Sequence, residues 1–195
     1  MDYGVEPEEG MSKVRIAVGA LALSAAALAG WFASEGDGPI VTIDGVEHHA
    51  PYIPVKGDVP TIGHGSTHYE DGTPVKLTDP PIPRSRAQEL AINLHSVDER
   101  RFKASLPGVE LTQGEYDLYV DFVGQYGIGN WRVSSMRRHL LAGEYTQACH
   151  ALLNWRKVNG YDCSTRVNGK PNKVCWGVWD RQMKRYEACL AEQVQ

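Results

Sequence analysis

The chain has 195 residues, of which 42% are hydrophobic, so it can bury one substantial core. Lysine and arginine number 20 against 24 aspartates and glutamates, which gives a formal net charge of −4. This balance excludes the broad basic surface of a sequence-independent nucleic-acid binder, and we expect no nucleic-acid partner. Four cysteines are too few for a disulfide scaffold that replaces a core, but they allow two disulfides in an oxidising compartment.

An apolar segment near the N-terminus bears on that compartment. Residues 16–33 are 18 consecutive positions without a charge, directly after Lys13 and Arg15. Their length is at the short edge of what spans a bilayer as a helix, and the preceding positive charges predict a cytoplasmic N-terminus with export of the remainder. Because eight of the 18 residues are alanine, we expect an apolar helix that the membrane retains only weakly.

Three interpretations of this segment stay open. It is a cleaved signal peptide, a permanent anchor, or a helix that enters the membrane and later leaves it. A buried helix of a soluble protein is the alternative to all three. The sequence does not distinguish a start at Met1 from one at Met11. We place a division after the segment, with an N-terminal tail and signal-anchor over residues 1–33 and one domain over residues 34–195.

The remainder of the chain changes character once. Over residues 35–73, short β-branched runs alternate with turn signals such as Asp44-Gly45, which predicts a small β-hairpin region. After a proline-rich connector at 78–83, apolar residues recur at helical spacing, and capping-box patterns begin at Ser85 and Thr112. We therefore predict an α+β fold in which a small β-hairpin lobe precedes a larger α-helical lobe, with the apolar helix before both.

A motif in the hairpin region carries the chemistry. Glu35 ends the apolar segment, Tyr52 follows, and after a glycine turn comes the run Thr61-Ile62-Gly63-His64-Gly65-Ser66-Thr67. Together with Gln125-x-Gly127 and Ser134-Ser135-Met136-Arg137 in the helical part, this motif resembles the phage-type, T4-like lysozymes of glycoside hydrolase family 24. The alanine-rich leader is similar to the signal-arrest-release segment of some endolysins of this family, which tether an inactive enzyme until the membrane is depolarised.

The resemblance implies a lysozyme-like fold, a peptidoglycan substrate, and no cofactor. It makes Glu35 the general acid, which must be protonated near neutral pH, and the partial negative charge at a helix C-terminus favours that form. Thr61 would hold the attacking water on the other face of the sugar, in an inverting geometry. The resemblance gives Gln125 a contact with the glycan, and His64 lies on the hairpin beside the cleft, where we expect it to bind substrate as well.

Two features depart from the family pattern. The second acid of the family lies two residues after the tyrosine, where this chain has Pro54, so Asp58 is the substitute candidate. The alternative is that Asp58 is an ordinary turn residue. An insertion over residues 37–49 separates the glutamate from the tyrosine and contains Asp44 and Glu47 as outside candidates.

A zinc site, as in an amidase, is the alternative for the histidines. His64 and His68 are four residues apart, and His48 and His49 precede them in the same turn-rich region, but the sequence supplies no motif for a third ligand, and we predict no metal. The cysteines permit three pairings, and export makes pairing the expected state. The most natural pairing joins Cys163 to Cys175 and Cys149 to Cys189.

The resemblance predicts a monomeric phage endolysin, a muramidase that hydrolyses the β-1,4 bond between N-acetylmuramic acid and N-acetylglucosamine and so lyses the host. Its partners would be bacterial peptidoglycan and, through the N-terminal segment, the inner membrane, with later release into the periplasm. Two alternatives stay open. One is a lytic transglycosylase, for which one acid suffices and which forms 1,6-anhydro products. The other is a degenerate, non-catalytic peptidoglycan-binding module.

Overall fold

A computed structural model describes residues 13–35, 38–55 and 57–194, except for the side chains of residues 33–35. The fold is α+β, with a small lobe of short strands and a larger helical lobe. The helices are α1 (Ala25–Glu35), α2 (Arg84–Ala104), α3 (Gln113–Val133), α4 (Ser135–Leu141), α5 (Tyr145–Ala151) and α6 (Trp176–Ala191). The strands are β1 (Ile16–Ala17), β2 (Ile40–Ile43), β3 (Val46–His49), β4 (Ile82–Pro83), β5 (Glu110–Leu111), β6 (Lys157–Val158), β7 (Tyr161–Asp162), β8 (Arg166–Val167) and β9 (Lys170–Pro171).

The N-terminal apolar segment is not one helix. Its first two residues form β1, which pairs antiparallel with β5, and a 3-10 turn follows at Val18–Ala20. Val18 and Leu21 are 2% and 5% exposed, within the core of the helical lobe. The prediction of a helix over residues 16–33 is therefore wrong for residues 16–24, because strand pairing and burial replace helical hydrogen bonds there. In the described ranges, no helix has both the length and the apolarity to cross a membrane.

Charged side chains join this N-terminal segment to the helical lobe. Arg15 donates two hydrogen bonds, of 2.7 and 3.0 Å, to the carboxylate of Glu115, which is 1% exposed. The guanidinium also lies 3.8 Å from the centre of the Tyr145 ring. Lys13 contacts Glu192 at 2.7 Å in a more exposed position. The segment is thus part of the folded helical lobe.

The helical lobe is built around Trp131, which is fully buried in contact with aromatic rings of α2 and α3. Its indole N–H donates to the hydroxyl of Ser105 at 2.8 Å, so the one polar atom of the indole is satisfied. Both expected disulfides are confirmed. Cys149–Cys189 joins α5 to α6 inside the core, and Cys163–Cys175 closes the loop that contains the β8–β9 hairpin.

Of the two capping boxes predicted at helix N-termini, the structure has one and lacks the other. Thr112 and Glu115 form the predicted capping box at the start of α3. The capping box predicted at Ser85 is wrong, since α2 begins at Arg84 with Pro83 at the N-cap and no side-chain cap. Pro83 already belongs to β4, and its fixed φ directs the chain into the helix without a cap.

The small lobe contains the predicted β-hairpin region, extended by the insertion. β2 and β3 form a hairpin whose turn is Asp44-Gly45, both at positive φ, and β3 also pairs with β4. The order of this sheet is β2-β3-β4. Helix α2 connects the lobes, because Leu90 near its start is buried in the small lobe and Phe102 near its end is buried in the helical lobe.

Candidate active site

The site motif forms two narrow, successive backbone pairings. Tyr52 and Thr61 exchange two N–H to carbonyl hydrogen bonds of 2.8 Å, and Ile62 and Ser66 exchange two of 2.9 and 3.1 Å. Gly63 lies in the turn between the latter pair at φ +60°, and a Cβ there would lie 2.8 Å from the Cβ of Ala87. The turn therefore needs glycine both for its conformation and for its close packing on α2.

The end of α1 reaches this hairpin. The helix runs to Glu35, whose side chain lies outside the described residues, so its role as general acid stays a prediction. Phe32, three residues earlier, lies with its ring centre 4.7 Å from that of His64. Residues three apart share a face of a helix, so position 35 is one turn further along the face of α1 that meets the hairpin.

The other residues predicted for catalysis have different environments. Thr61 is 3% exposed, and its hydroxyl donates to the carbonyl of Val59 at 3.2 Å. Asp58 is exposed, and its carboxylate accepts the N–H of the next residue, Val59, at 2.9 Å. Its own N–H donates to the carbonyl of Val55 at 3.0 Å, the hydrogen bond of a β-turn. Thr61 is therefore held firmly in the hairpin, whereas Asp58 stabilises its own turn.

The two carboxylates of the insertion lie on the surface. Asp44 occupies the turn of the β2–β3 hairpin, and Glu47 is exposed with its carboxylate 3.8 Å from the guanidinium of Arg84. Among the described residues, neither carboxylate has a hydrogen bond or an ion pair with the hairpin that holds Thr61.

A cleft of about 220 Å³ opens beside the hairpin. One wall is the loop that includes His64, and the other is α2 with Leu94, His95 and Asp98. Trp31 of α1 and Gly124 of α3 complete the lining. A Cβ on Gly124 would lie 3.4 Å from the His95 ring, at the edge of ordinary van der Waals contact, so Gly124 and His95 line the cleft side by side.

His95 gives the cleft a titratable group that the sequence motif did not reveal. Burial lowers the pKa of His95, and the nearby carboxylates of Asp98, Asp121 and Glu99 oppose that shift. The ring of Trp31 meets the His95 ring edge-on at 3.8 Å between centres. The cleft therefore has one wall that combines an aromatic surface with hydrogen-bonding groups, which suits a sugar.

Gln125 lies next to this lining, in the residue after Gly124. Its side-chain oxygen is buried, and among the described residues no group hydrogen-bonds to it. Two residues later, Gly127 interrupts α3 with φ 82° and ψ 153°. A glycan contact of Gln125 therefore stays a prediction.

The structure brings together some of the predicted site residues and adds others. His64 lines the cleft and Gln125 adjoins it, while Thr61 lies at the base of the same hairpin. Trp31 and His95 were missed because each falls within an apolar helical pattern that indicates only packing. In the part of the chain that the structure describes, no group of three or more histidine, cysteine or acidic side chains could hold a metal ion.

Two lobes joined by a long helix, with a cleft beside a glycine-rich hairpin and a helix that ends in a glutamate at that hairpin, define the lysozyme-like fold. The family model described as phage lysozyme matches residues 42–172, and the chain belongs to this family. Membership implies a peptidoglycan hydrolase.

Solved structures of phage enzymes share this fold. An endolysin from Escherichia coli O157:H7 phage FAHEc1 superposes with a TM-score of 0.66 at 23% identity, over 88% of this chain and 94% of that one. A mutant P22 lysozyme gives 0.63 at 22%, over 87% and 99%, and the active form of the P1 phage endolysin Lyz gives 0.62 at 18%, over 91% and 89%. At these identities the likeness concerns the fold alone. No curated protein matches the chain.

Proposed function

We propose that the protein is a muramidase that hydrolyses the β-1,4 bond between N-acetylmuramic acid and N-acetylglucosamine of peptidoglycan, with Glu35 as the general acid. The observation that carries the proposal is the meeting of the end of α1 with the hairpin that holds Thr61 buried, beside an open cleft. The partial negative charge at the end of α1 favours the protonated carboxyl group that an acid catalyst needs.

In this mechanism Thr61 positions the attacking water, and Glu35 protonates the leaving oxygen. An inverting hydrolysis needs room for that water between the two groups. Asp58 has weaker support as the second acid, because its carboxylate is exposed and bonded to its own turn. That same observation favours a second candidate, the lytic transglycosylase, in which one acid suffices and no water is needed.

The experiment compares Glu35→Gln with Asp58→Asn on purified peptidoglycan, since each change removes a carboxylate and keeps the shape of the side chain. We expect Glu35→Gln to lose about 100-fold or more in rate, as removal of a general acid does, and Asp58→Asn to keep most of the activity. Mass spectrometry of the products identifies the reaction. Reducing muramic ends support hydrolysis, and mainly 1,6-anhydro ends would overturn it in favour of the transglycosylase.

The same assay addresses the non-catalytic alternative. A degenerate binding module predicts that the wild-type protein binds peptidoglycan but releases no soluble fragments. It also predicts that Glu35→Gln changes nothing. Clearing in a zymogram by the wild type and its loss in Glu35→Gln would exclude the module.

We also propose that residues 16–33 first hold the chain in the inner membrane, with the N-terminus in the cytoplasm, and that release into the periplasm precedes lysis of the host. The alanine-rich composition supports weak retention. The segment also has partners in the folded protein, since Val18 is buried in the core and Arg15 pairs with Glu115. Membrane insertion excludes these contacts, because Arg15 would then lie across the bilayer from Glu115.

A test of release replaces several of the alanines between positions 20 and 29 by leucine, with serine replacements at the same positions as the control. Leucine strengthens retention in the bilayer. We expect the leucine variant to remain in the membrane fraction and to delay lysis, and the serine variant to do neither. Lysis on schedule by a protein that stays in the membrane fraction would contradict the proposal.

A further inference from the structure

The inserted hairpin brings a buried histidine to the candidate active site. In the register of β3 with β4, His49 lies opposite Ile82, and its side chain is 0% exposed. His48, the preceding residue, points to the other face of the strand, is partly exposed, and has its Nδ1 2.9 Å from the carbonyl oxygen of Val46. The insertion that separates this chain from the family pattern therefore places the imidazole of His49 in the interior of the small lobe and that of His48 on the opposite, partly exposed face of the strand.

The buried imidazole begins a line of ring contacts that leads to α1. The ring centre of His49 lies 5.2 Å from that of His64, which is 3% exposed. His64 in turn lies 4.7 Å from Phe32. Phe32 is one helical turn before Glu35, the last residue of the helix. Three rings in succession thus connect the inserted hairpin to the end of α1.

The chemical nature of these side chains argues for more than packing. An apolar side chain fills a buried space without the desolvation cost that an imidazole carries. Glu47 of β3 and Arg84, the first residue of α2, are exposed, and their charged groups lie 3.8 Å apart.

We propose that His49 is a positioning residue for glycan cleavage. It holds His64, and the two imidazoles together fix the last turn of α1, in which Glu35 is the last residue, for the proposed acid catalysis. The inference rests on the proposed role of Glu35 as the general acid. His49 acts through His64 and need not touch the substrate, and a displacement of about 1 Å at a catalytic group is enough to cost about 100-fold in rate.

The test is His49→Phe, which keeps a ring of similar size and removes the imidazole, with His48→Phe as the matched control on the other face of the strand. On soluble, uncrosslinked glycan strands we expect His49→Phe to lower kcat about 10-fold or more while KM stays within about 2-fold, as misplacement of a catalytic group predicts. His48→Phe keeps the wild-type values. Thermal unfolding of both variants shows whether each is folded.

A second pair of variants keeps the proposal testable if His49→Phe does not fold. His64→Phe is expected to give the same loss of kcat, and His49→Gln, which retains hydrogen-bonding groups, is expected to recover part of it. Because the imidazoles act as a unit, the double variant His49→Phe/His64→Phe loses no more than the worse single variant. Losses that multiply would overturn the proposal, as would folded His49→Phe or His64→Phe with wild-type kcat.

Failure of this inference is distinguishable from failure of the proposed function. If Glu35→Gln is inactive while His49→Phe is fully active, the muramidase proposal stands and the positioning role is wrong. If Glu35→Gln is fully active, the general acid itself is wrong, and the positioning role is overturned with it.

Discussion

The two lobes of this protein hold their residues in place by different means. Among the described residues, the helical lobe has a core of twenty buried side chains around Trp131, with a disulfide inside it. The core of the small lobe has three, which are Ile62, Val75 and Leu90. Yet the hairpin that carries Thr61 and His64 belongs to the small lobe.

This difference between the lobes shows how a catalytic residue is held in place where few apolar side chains are buried. In the small lobe, short backbone pairings, close packing of Gly63 on α2 and polar contacts replace the missing apolar contacts. Such contacts fix the orientation of the side chains that make them, but each contributes less to the free energy of unfolding than a buried apolar side chain does. We therefore expect changes in the helical lobe to act first on stability, and changes in the small lobe to act first on activity.

The largest expected effect tests the core of the helical lobe at Trp131. Trp131→Ala leaves a cavity and removes the hydrogen bond to Ser105, so we expect a loss of about 3–5 kcal/mol in the free energy of unfolding, measured in urea. Val133→Ala, on the same helix and 83% exposed, is the control and is expected to change little. If Trp131→Ala costs under 1 kcal/mol, the helical lobe is not held by this core.

A smaller loss of stability is expected from removal of the ion pairs of the N-terminal segment, and it differs between Arg15 and Lys13. Arg15→Ala leaves the carboxylate of Glu115 buried without its cation, and we expect a loss of about 2 kcal/mol, below the value for a fully buried pair because Arg15 is itself 26% exposed. Lys13→Ala removes a pair in which the lysine is 44% exposed, with an expected loss under 1 kcal/mol. Urea unfolding measures both, and equal losses would mean that the segment does not dock through Arg15.

The sequence was sufficient for the features that depend on local patterns. Of the three pairings that the cysteines permit, the structure has the one expected as the most natural. The glycine-rich hairpin, the helical second part and the capping box at Thr112 follow from residue types and spacing, and the structure confirms them. These features depend on short-range chemistry, such as the conformational freedom of glycine in a turn and the side chain of a threonine at an N-cap.

The sequence was insufficient to predict the structure where contacts between residues far apart in the chain determine it. Residues 16–24 have the composition of a helix, but the pairing of Ile16 with Leu111 and the burial of Val18 give them another structure. His49 reads as one of several turn-region histidines until its strand is paired with β4. Its burial against His64 depends on that register, which no local pattern contains.

The smallest effect tests the polar contacts of the small lobe through pH. Hydrogen bonds from Arg86 and Asn93 lower the pKa of Glu70 from an ordinary value of 4.5 to about 2. Because the native pKa lies below the unfolded one, this contribution to stability is fully present above about pH 4.5 and is lost as the pH falls towards 2. Both side chains of the ion pair are about a third exposed, so we expect less than 1 kcal/mol. The measurement is the difference in unfolding free energy between wild type and Arg86→Ala from pH 7 down to pH 2.5, and we expect this difference to shrink below pH 4.5. The control is Lys184→Ala, whose ion pair with Asp180 is more exposed. We expect its difference from wild type to be near zero throughout. A difference for Arg86→Ala that is independent of pH would mean that Arg86 stabilises the small lobe by packing and not by its charge.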